Sequence, residues 1–271
     1  MKETVMEIKT VKSENFTMKY ISFGQGDETF VILPGLSTES VMKSADLVAD
    51  QYDDMTEDFT IYLFDRRENL PEGLYTIKDM AEDTAEAMTE LGLHDVSLFG
   101  ASQGGMIAEM ITICHPDLVK DLILGSTAAV AGEEEYKVIG HWVDLAVQRK
   151  REELYLDFGE KLYPKEVFDG LRDTFITMSE GVTDEELDHF IRLAVATKGF
   201  DASGEMSDIK CPVLVLGSED DAVLGTGSSR LLADLFKDNK GLKVHMYNGF
   251  GHAAFDTAPD YRQRMTEFIK G

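Results

Sequence analysis

The sequence predicts an α/β protein with a mostly parallel, doubly wound sheet flanked by helices and a long helical segment inserted into it. Short apolar runs typical of buried strands alternate with amphipathic helix patterns along most of the chain. One long stretch, Gly132 to Met206, lacks strand patterns. With 271 residues, 43% of them hydrophobic, the chain is long enough to bury one large core.

The first strands are predicted near the N-terminus. Phe16 to Phe23 alternate between apolar and polar side chains, as in an antiparallel strand with one exposed face. Gly24 to Asp27 supply turn residues that return the chain into an apolar strand at Thr29 to Leu33. The same criteria predict the later elements: strand Phe59 to Phe64, helix Ile77 to Leu91, and strands at Val96 to Phe99, Leu122 to Leu124, after Pro212, and Leu242 to Tyr247.

The stretch from Gly132 to Met206 has the apolar spacing of helices. One group of apolar residues recurs around Trp142, the only tryptophan, and a second recurs around Phe190. We therefore expect a core of residues 1–131 and 207–271 and a helical insertion of residues 132–206. His141 and Trp142 are candidates to line a pocket under this insertion. Alternatively, Trp142 packs the insertion against the core and His141 is exposed.

The segment Val96 to Met106 carries the clearest functional motif. It places Ser102 between Gly100 and Gly104, directly after an apolar strand and directly before a helix. A strand that turns this abruptly into a helix needs small neighbours, and it presents the serine hydroxyl near a helix N-terminus that favours negative charge. The pattern predicts a nucleophilic serine.

An acid and a base follow in the loops after two later strands. The strand that begins after Pro212 ends in Glu219, Asp220 and Asp221, so a carboxylate lies at the carboxyl edge of the sheet. The next strand leads into a loop that contains His252. The chain order serine, acid, histidine is the order of the catalytic triad of α/β-hydrolases, and other serine hydrolase folds use different orders.

From about residue 16 to its C-terminus, the sequence resembles the α/β-hydrolase family. Besides the serine motif, the resemblance rests on Asp65-Arg66 after a strand, His115 to Leu124 leading into another strand, Gly251-His252, and Ala258-Pro259. It implies an eight-stranded, mostly parallel sheet, and it implies that the insertion is a cap that lies over the nucleophile and selects the substrate. Because the chemistry of the family is broad, the resemblance does not fix that substrate.

The resemblance also implies roles for individual residues. Ser102 is the expected nucleophile, and His252 is the expected base. Asp221 is the expected acid, because in the family a small residue and an apolar residue follow the acid, as they do in Asp221-Ala222-Val223. Asp220 stays open as the alternative. The acids that do not contact the histidine are expected to be solvated loop residues.

The turn after the second predicted strand is expected to stabilise a developing oxyanion. That strand should lie beside the serine strand, and Gly35 in the turn lets the backbone approach a substrate closely. We assign the two donors to the backbone amides of Leu36 and Gln103, and we expect Gly35 and Ser37 to line the pocket. Pro34 stands where the family commonly has histidine, a change that removes a side-chain hydrogen bond supporting this loop.

These features predict a serine hydrolase that cleaves a small carboxylic ester, thioester or lactone through an acyl-enzyme. Two alternatives use the same residues: carbon–carbon bond hydrolysis or cofactor-free perhydrolysis, and a ligand receptor that hydrolyses slowly. Haloalkane dehalogenation and epoxide hydrolysis are disfavoured, because relatives with those activities carry aspartate where this chain has Ser102.

The formal charge of −25 narrows the range of partners. A field of that sign repels phosphate backbones and anionic lipid surfaces, so we expect a small-molecule substrate and neither nucleic acid nor a membrane as partner. A homodimer stays open. The other histidines lack metal-ligand spacing and the sequence has no glycine-rich phosphate loop, so we expect neither a metal nor another cofactor.

A cytoplasmic location is expected from two further observations. The segment Met1 to Ile8 carries charges where a signal peptide needs an apolar block, and no later run is long enough to span a bilayer. Cys114 and Cys211 lie in apolar helix and strand contexts. We expect them to be buried thiols instead of a disulfide pair, as in a reducing compartment.

Overall fold

The computed structural model describes residues 6–271, so Met1 to Val5 of the charged segment Met1 to Ile8 lie outside the described residues. In chain order the strands are β1 (Lys9–Lys12), β2 (Thr17–Phe23), β3 (Glu28–Leu33), β4 (Phe59–Arg67), β5 (Val96–Ala101), β6 (Val119–Gly125), β7 (Val130–Ala131), β8 (Phe200–Asp201), β9 (Val213–Ser218) and β10 (Lys243–Tyr247).

Eight of these strands form one sheet in the order β1-β2-β4-β3-β5-β6-β9-β10, and β7 pairs with β8 separately. Every pairing in the large sheet is parallel except those of β2 with β1 and β4. The predicted eight-stranded, mostly parallel sheet is therefore confirmed.

The helices lie between these strands and after the last one. They are α1 (Ala45–Gln51), α2 (Ile77–Glu90), α3 (Gln103–Cys114), α4 (Glu133–Val147), α5 (Arg151–Leu162), α6 (Lys165–Gly181), α7 (Asp184–Val195), α8 (Ser228–Leu235), α9 (Ala254–Thr257) and α10 (Tyr261–Lys270). No helix in the described part of the chain has both the length and the apolar character that a membrane span requires.

The predicted strands are present, but their neighbours correct one detail at the N-terminal edge. The turn at residues 24–27 does not make β2 and β3 adjacent, because β4 lies between them, antiparallel to β2 and parallel to β3. The reason is burial: β3 is apolar on both faces and takes a central place between β4 and β5. The short polar strand β1 was not predicted.

The core consists of two apolar layers, one on each face of the large sheet. Successive residues of a strand point to opposite faces, so Val31 and Leu33 of β3 belong to one layer, and Phe30 and Ile32 belong to the other. Helices cover both layers. Because most of the strands are parallel, the loops that follow them lie together at the carboxyl edge of the sheet.

The segment between β6 and β9 is mostly helical, as predicted, and it carries α4 to α7. Its two ends are held together by the pairing of β7 with β8, which corrects the prediction of a purely helical stretch at Phe200–Asp201. Trp142 is buried inside this segment. Its ring centroid lies 4.1 Å from that of Phe158, and its Nε1 donates to Oδ2 of Asp157 at 2.7 Å.

Candidate active site

The turn from β5 into α3 holds Ser102 in an unusual backbone conformation. Its φ of 52° and ψ of −123° lie in a region that residues with a side chain rarely adopt. Two hydrogen bonds fix this turn: the Ser102 amide donates to the carbonyl of Gly125 at 2.8 Å, and the Ser102 carbonyl accepts from Oγ1 of Thr127 at 2.7 Å. The strain is therefore held by the neighbouring strand β6 and the loop after it.

The glycines on either side of Ser102 are required by close backbone contacts. A Cβ atom on Gly100 would lie 2.3 Å from the carbonyl oxygen of Gly104. A Cβ atom on Gly104 would lie 2.1 Å from the carbonyl oxygen of Leu33. Because real Cβ atoms do not approach oxygen so closely, these contacts explain why the motif needs glycine at both positions.

His252 and Asp221 meet in the loops that follow β10 and β9. Nδ1 of His252 lies 2.7 Å from Oδ2 of Asp221, and both residues are buried. The other carboxylate oxygen of Asp221 accepts from the backbone amides of Val223 at 2.8 Å and Leu224 at 2.9 Å. Of the two acids that the sequence left open, Asp221 is the one that contacts the histidine.

The pKa of Asp221 reflects opposing effects. Burial raises the pKa of this carboxyl, but the His252 imidazole and the two backbone amides favour its charged form, and the net pKa lies below the ordinary value. Asp221 is therefore an anion at neutral pH, which suits an acceptor for the Nδ1 proton of His252.

Asp220 makes a different contact from the one the sequence suggested. Its Oδ2 accepts from the backbone amide of Gly251 at 3.0 Å, and its Oδ1 accepts from the hydroxyl of Ser218 at 3.1 Å. Asp220 is partly exposed and also holds the facing loop, so the expectation of a solvated loop residue describes it only in part. Consecutive residues at the end of β9 hold consecutive residues, Gly251 and His252, of the facing loop.

Ser102 and His252 both line a cavity of about 260 Å³ at the carboxyl edge of the sheet. Most of its lining side chains are apolar, and among the described residues the lining includes neither lysine nor arginine. Its walls include the turn after β3 and helix α1 from the core, and helices α4 and α5 from the insertion. The cavity therefore lies between the core and the insertion.

The residues expected at the pocket are placed there with one exception. Gly35, Leu36, Ser37, Gln103 and Trp142 line the cavity. The suggestion that His141 faces it is corrected: the side chain is exposed, and His141 is not part of the lining. Adjacent positions on a helix differ by about 100° in direction, so α4 turns Trp142 inward and its neighbour outward.

The family of the chain follows from this fold and from its sequence. A family model described as the alpha/beta hydrolase fold matches residues 28–259. The chain belongs to this family. The hydrolase is 25% identical over 232 residues to RutD of Serratia proteamaculans, whose name proposes carbamate hydrolysis, and the match covers 76% of this chain and 80% of RutD.

Solved structures share the fold of the hydrolase over nearly its whole length. The enol-lactonase of Burkholderia xenovorans has a TM-score of 0.82 at 17% identity, over 97% of this chain and 100% of the lactonase. An esterase of Exiguobacterium antarcticum has a TM-score of 0.81 at 20% identity, over 97% and 99% of the two chains. At these identities the likeness concerns the fold alone, while family membership and relatives together support a hydrolase.

One contact in the hydrolase was missed by reasoning from the sequence, which considered only the backbone amide of Gln103. The buried side chain of Gln103 donates through Nε2 to the carbonyl of Leu193 at 2.7 Å and to Oγ1 of Thr197 at 3.0 Å. These acceptors lie in α7 and directly after it. The residue next to Ser102 therefore ties the serine turn to the last helix of the insertion.

Other groups of the hydrolase have simpler surroundings. Within residues 6–271, no three or more His, Cys, Asp or Glu side chains are grouped so that they could hold a metal ion. Cys114 and Cys211 are free thiols, as predicted, but both are half-buried, which corrects the prediction that they are buried. Burial raises the pKa of both thiols, that of Cys211 to about 11, which keeps them protonated at neutral pH.

Proposed function

We propose that this protein is a serine hydrolase that cleaves a small carboxylic ester, thioester or lactone. One observation carries the proposal: His252, which is hydrogen-bonded to Asp221, lines the same cavity as Ser102. A histidine whose Nδ1 is held by a buried carboxylate offers its other nitrogen as a base, and a serine held in a strained turn offers a hydroxyl.

The proposed reaction has two steps. In the first, the Ser102 oxygen attacks the carbonyl carbon while Nε2 of His252 takes the hydroxyl proton, and that proton then passes to the departing alcohol or thiol. In the second, water attacks the acyl carbon while His252 takes one of its protons. The bond between the acyl carbon and the Ser102 oxygen then breaks, His252 returns the proton to that oxygen, and the acid is released. Asp221 keeps the imidazole in one orientation and stabilises its charged form.

The backbone amides of Leu36 and Gln103 are the proposed donors to the oxyanion. Both residues line the cavity. Leu36 lies in the turn after β3, and Gln103 is the first residue of α3. A Cβ atom on Gly35 would lie 3.3 Å from Cβ of Ser102, so this turn passes close to the nucleophile. Losing one such donor typically lowers kcat by about a hundredfold to a thousandfold.

The helical insertion, residues 132–206, is proposed to act as a cap that selects the substrate. Ile139, Trp142, Phe158 and Leu162 from α4 and α5 face the same cavity as Ser102. A cavity of about 260 Å³ with these apolar walls suits a short, uncharged acyl group. Water and a small substrate are the only reactants required.

Carbamate hydrolysis is a second candidate, because RutD, with 25% identity, carries that name. The lining of the cavity bears on the form of carbamate that would bind. Within the described chain the lining contributes neither lysine nor arginine, so a carbamate anion would be desolvated there without a cation. A neutral carbamate ester would avoid this cost.

The test is labelling with a fluorophosphonate followed by turnover of p-nitrophenyl esters of increasing chain length. We expect stoichiometric labelling of the native protein, no labelling of Ser102→Ala, and the highest kcat/KM with short acyl chains. A p-nitrophenyl carbamate series measured in parallel compares the second candidate. Absence of labelling, while a known serine hydrolase is labelled alongside, would overturn the proposal. Labelling without ester turnover would favour carbon–carbon hydrolysis, perhydrolysis or a receptor.

A further inference from the structure

The turn of residues 34–40, which carries the proposed donor Leu36, has open space on two sides. The active-site cavity lies on one side, and a polar cavity of about 500 Å³ lies on the other. The residues that line both cavities are Pro34, Gly35, Leu36, Ser37, Val41 and Gln103. Because these cavities leave the turn without close packing on two sides, hydrogen bonds from neighbouring residues contribute to fixing its backbone position.

Two consecutive residues at the end of β4 supply hydrogen bonds to the two ends of this turn. Nη2 of Arg66 donates to the carbonyl oxygen of Pro34 at 2.7 Å. The carboxylate of Asp65 accepts from the hydroxyl of Ser40. The Ser40 oxygen in turn accepts from the backbone amide of Met42 at 3.2 Å, which fixes the start of the short helix Val41–Ser44.

The surroundings of Arg66 are not those of a residue that stabilises the core. Its side chain is buried, with 7% exposure, yet among residues 6–271 it forms no ion pair, and its Nε has no hydrogen-bond partner. Burying a guanidinium group in this way costs free energy. The contact that this burial provides is the one with Pro34.

The next residue, Arg67, shows the contrast. It is buried to the same degree, but it pairs with Asp83 at 3.1 Å and donates to the backbone carbonyl of Asn69 at 2.6 Å. Arg67 therefore connects β4 to α2 and to its own loop, and within residues 6–271 it forms no hydrogen bond or ion pair with the turn. Arg66 and Arg67 therefore lie in the same strand and are equally buried, but their side chains have different partners.

We propose that Arg66 and Asp65 are positioning residues: they hold the turn of residues 34–40 so that the Leu36 amide can donate to the oxyanion. This inference rests on the function proposed above. The side chain of Pro34 has no hydrogen-bonding group that could fix the turn, and Arg66 supplies a hydrogen bond from the adjacent strand β4. Arg66 acts through the backbone of the turn, so its loss displaces the Leu36 amide and weakens binding of the transition state more than binding of the substrate.

The central experiment compares Arg66→Met with Arg67→Met as a matched buried control. Rates are expressed per mole of Ser102 titrated with a fluorophosphonate, so that misfolded protein does not count, and thermal unfolding is recorded for both variants. We expect Arg66→Met to lower kcat about tenfold or more with KM changed by less than about threefold, as for an interaction made mainly in the transition state. Arg67→Met is expected to lower the unfolding temperature and leave kcat within about threefold of wild type.

Two further measurements test the hydrogen bonds themselves. Arg66→Lys keeps one charged donor, so its kcat should lie between those of wild type and Arg66→Met. Ser40→Ala and Asp65→Asn each weaken the same contact, so each should lower kcat severalfold and the double variant should be no worse than the more affected single variant.

Equal kcat values for Arg66→Met and Arg67→Met would overturn the inference, and so would a kcat for Arg66→Lys no higher than that of Arg66→Met. If the wild-type protein is still labelled and turns over esters, the proposed function stands in either case. A wild-type protein that is not labelled would remove the proposed function itself, and the positioning role with it.

Discussion

Nδ1 of His252 lies 2.7 Å from Oδ2 of Asp221, although 31 positions separate these residues in the chain. The contact joins two loops at the carboxyl edge of the sheet, after the parallel strands β9 and β10. Because the strands are adjacent and parallel, their following loops emerge side by side. The sheet topology therefore creates the pair.

The two aspartates after β9 should differ strongly when each is replaced by asparagine. Asp221→Asn removes the anion that orients His252, and a loss of about ten thousandfold in kcat is expected. Asp220→Asn keeps an acceptor for the Gly251 amide, so we expect a loss of about tenfold or less. Steady-state kinetics with one p-nitrophenyl ester measure both. A larger loss for Asp220→Asn would contradict the assignment.

Gly104, two residues after Ser102, should not tolerate a methyl group. In Gly104→Ala the new Cβ atom would lie 2.1 Å from the carbonyl oxygen of Leu33, so we expect destabilisation of several kcal/mol or insoluble protein. Gly170→Ala is the control, because Gly170 lies within α6 and a Cβ atom there meets nothing within 4 Å. This control should raise stability by about 0.5–1 kcal/mol. Chemical denaturation reports both, and equal effects would refute the contact argument.

Trp142 and His141 should differ in their effect on substrate size. Trp142→Phe shortens a wall of the cavity and removes the donor to Asp157, so we expect kcat/KM to shift toward longer acyl chains, with about 1 kcal/mol lost from stability. His141→Ala alters an exposed side chain and should change stability by less than about 0.5 kcal/mol. A chain-length profile for each variant is the measurement. An unchanged profile for Trp142→Phe would argue against its role in the wall.

Glu109 should make stability depend on pH. It lies fully buried in α3, neither carboxyl oxygen has a hydrogen-bond partner in residues 6–271, and burial raises its pKa well above the ordinary value. A raised folded-state pKa means that the folded protein holds a proton the unfolded chain releases, so stability falls as pH rises above the ordinary glutamate value toward the raised one.

Within that window the slope for this single group approaches about 1.4 kcal/mol per pH unit. The variant Glu109→Gln cannot titrate, so the difference in unfolding free energy between it and wild type should grow with pH. Urea denaturation at several values from about pH 5 to pH 8 measures this difference. Parallel curves for the two proteins would contradict the raised pKa, because they would show that Glu109 has the same protonation state in the folded and the unfolded protein.

Local sequence patterns predicted much of the fold because strands, helices and tight turns depend on interactions between residues that are close in the chain. Buried parallel strands read as apolar runs, and the small residues around Ser102 reflect contacts within a few positions of the chain. The same patterns could not show that β4 lies between β2 and β3, because pairing partners along a sheet are chosen by burial of the whole strand.

The sequence by itself determined the α/β fold, the serine turn, and the order in which serine, acid and histidine occur along the chain. Only the tertiary structure decided which of two neighbouring aspartates contacts His252, and that Arg66 reaches the carbonyl of Pro34. The physical reason is that hydrogen-bond partners are selected by distances of a few tenths of an ångström between distant segments, and a linear pattern of residue types does not carry that information.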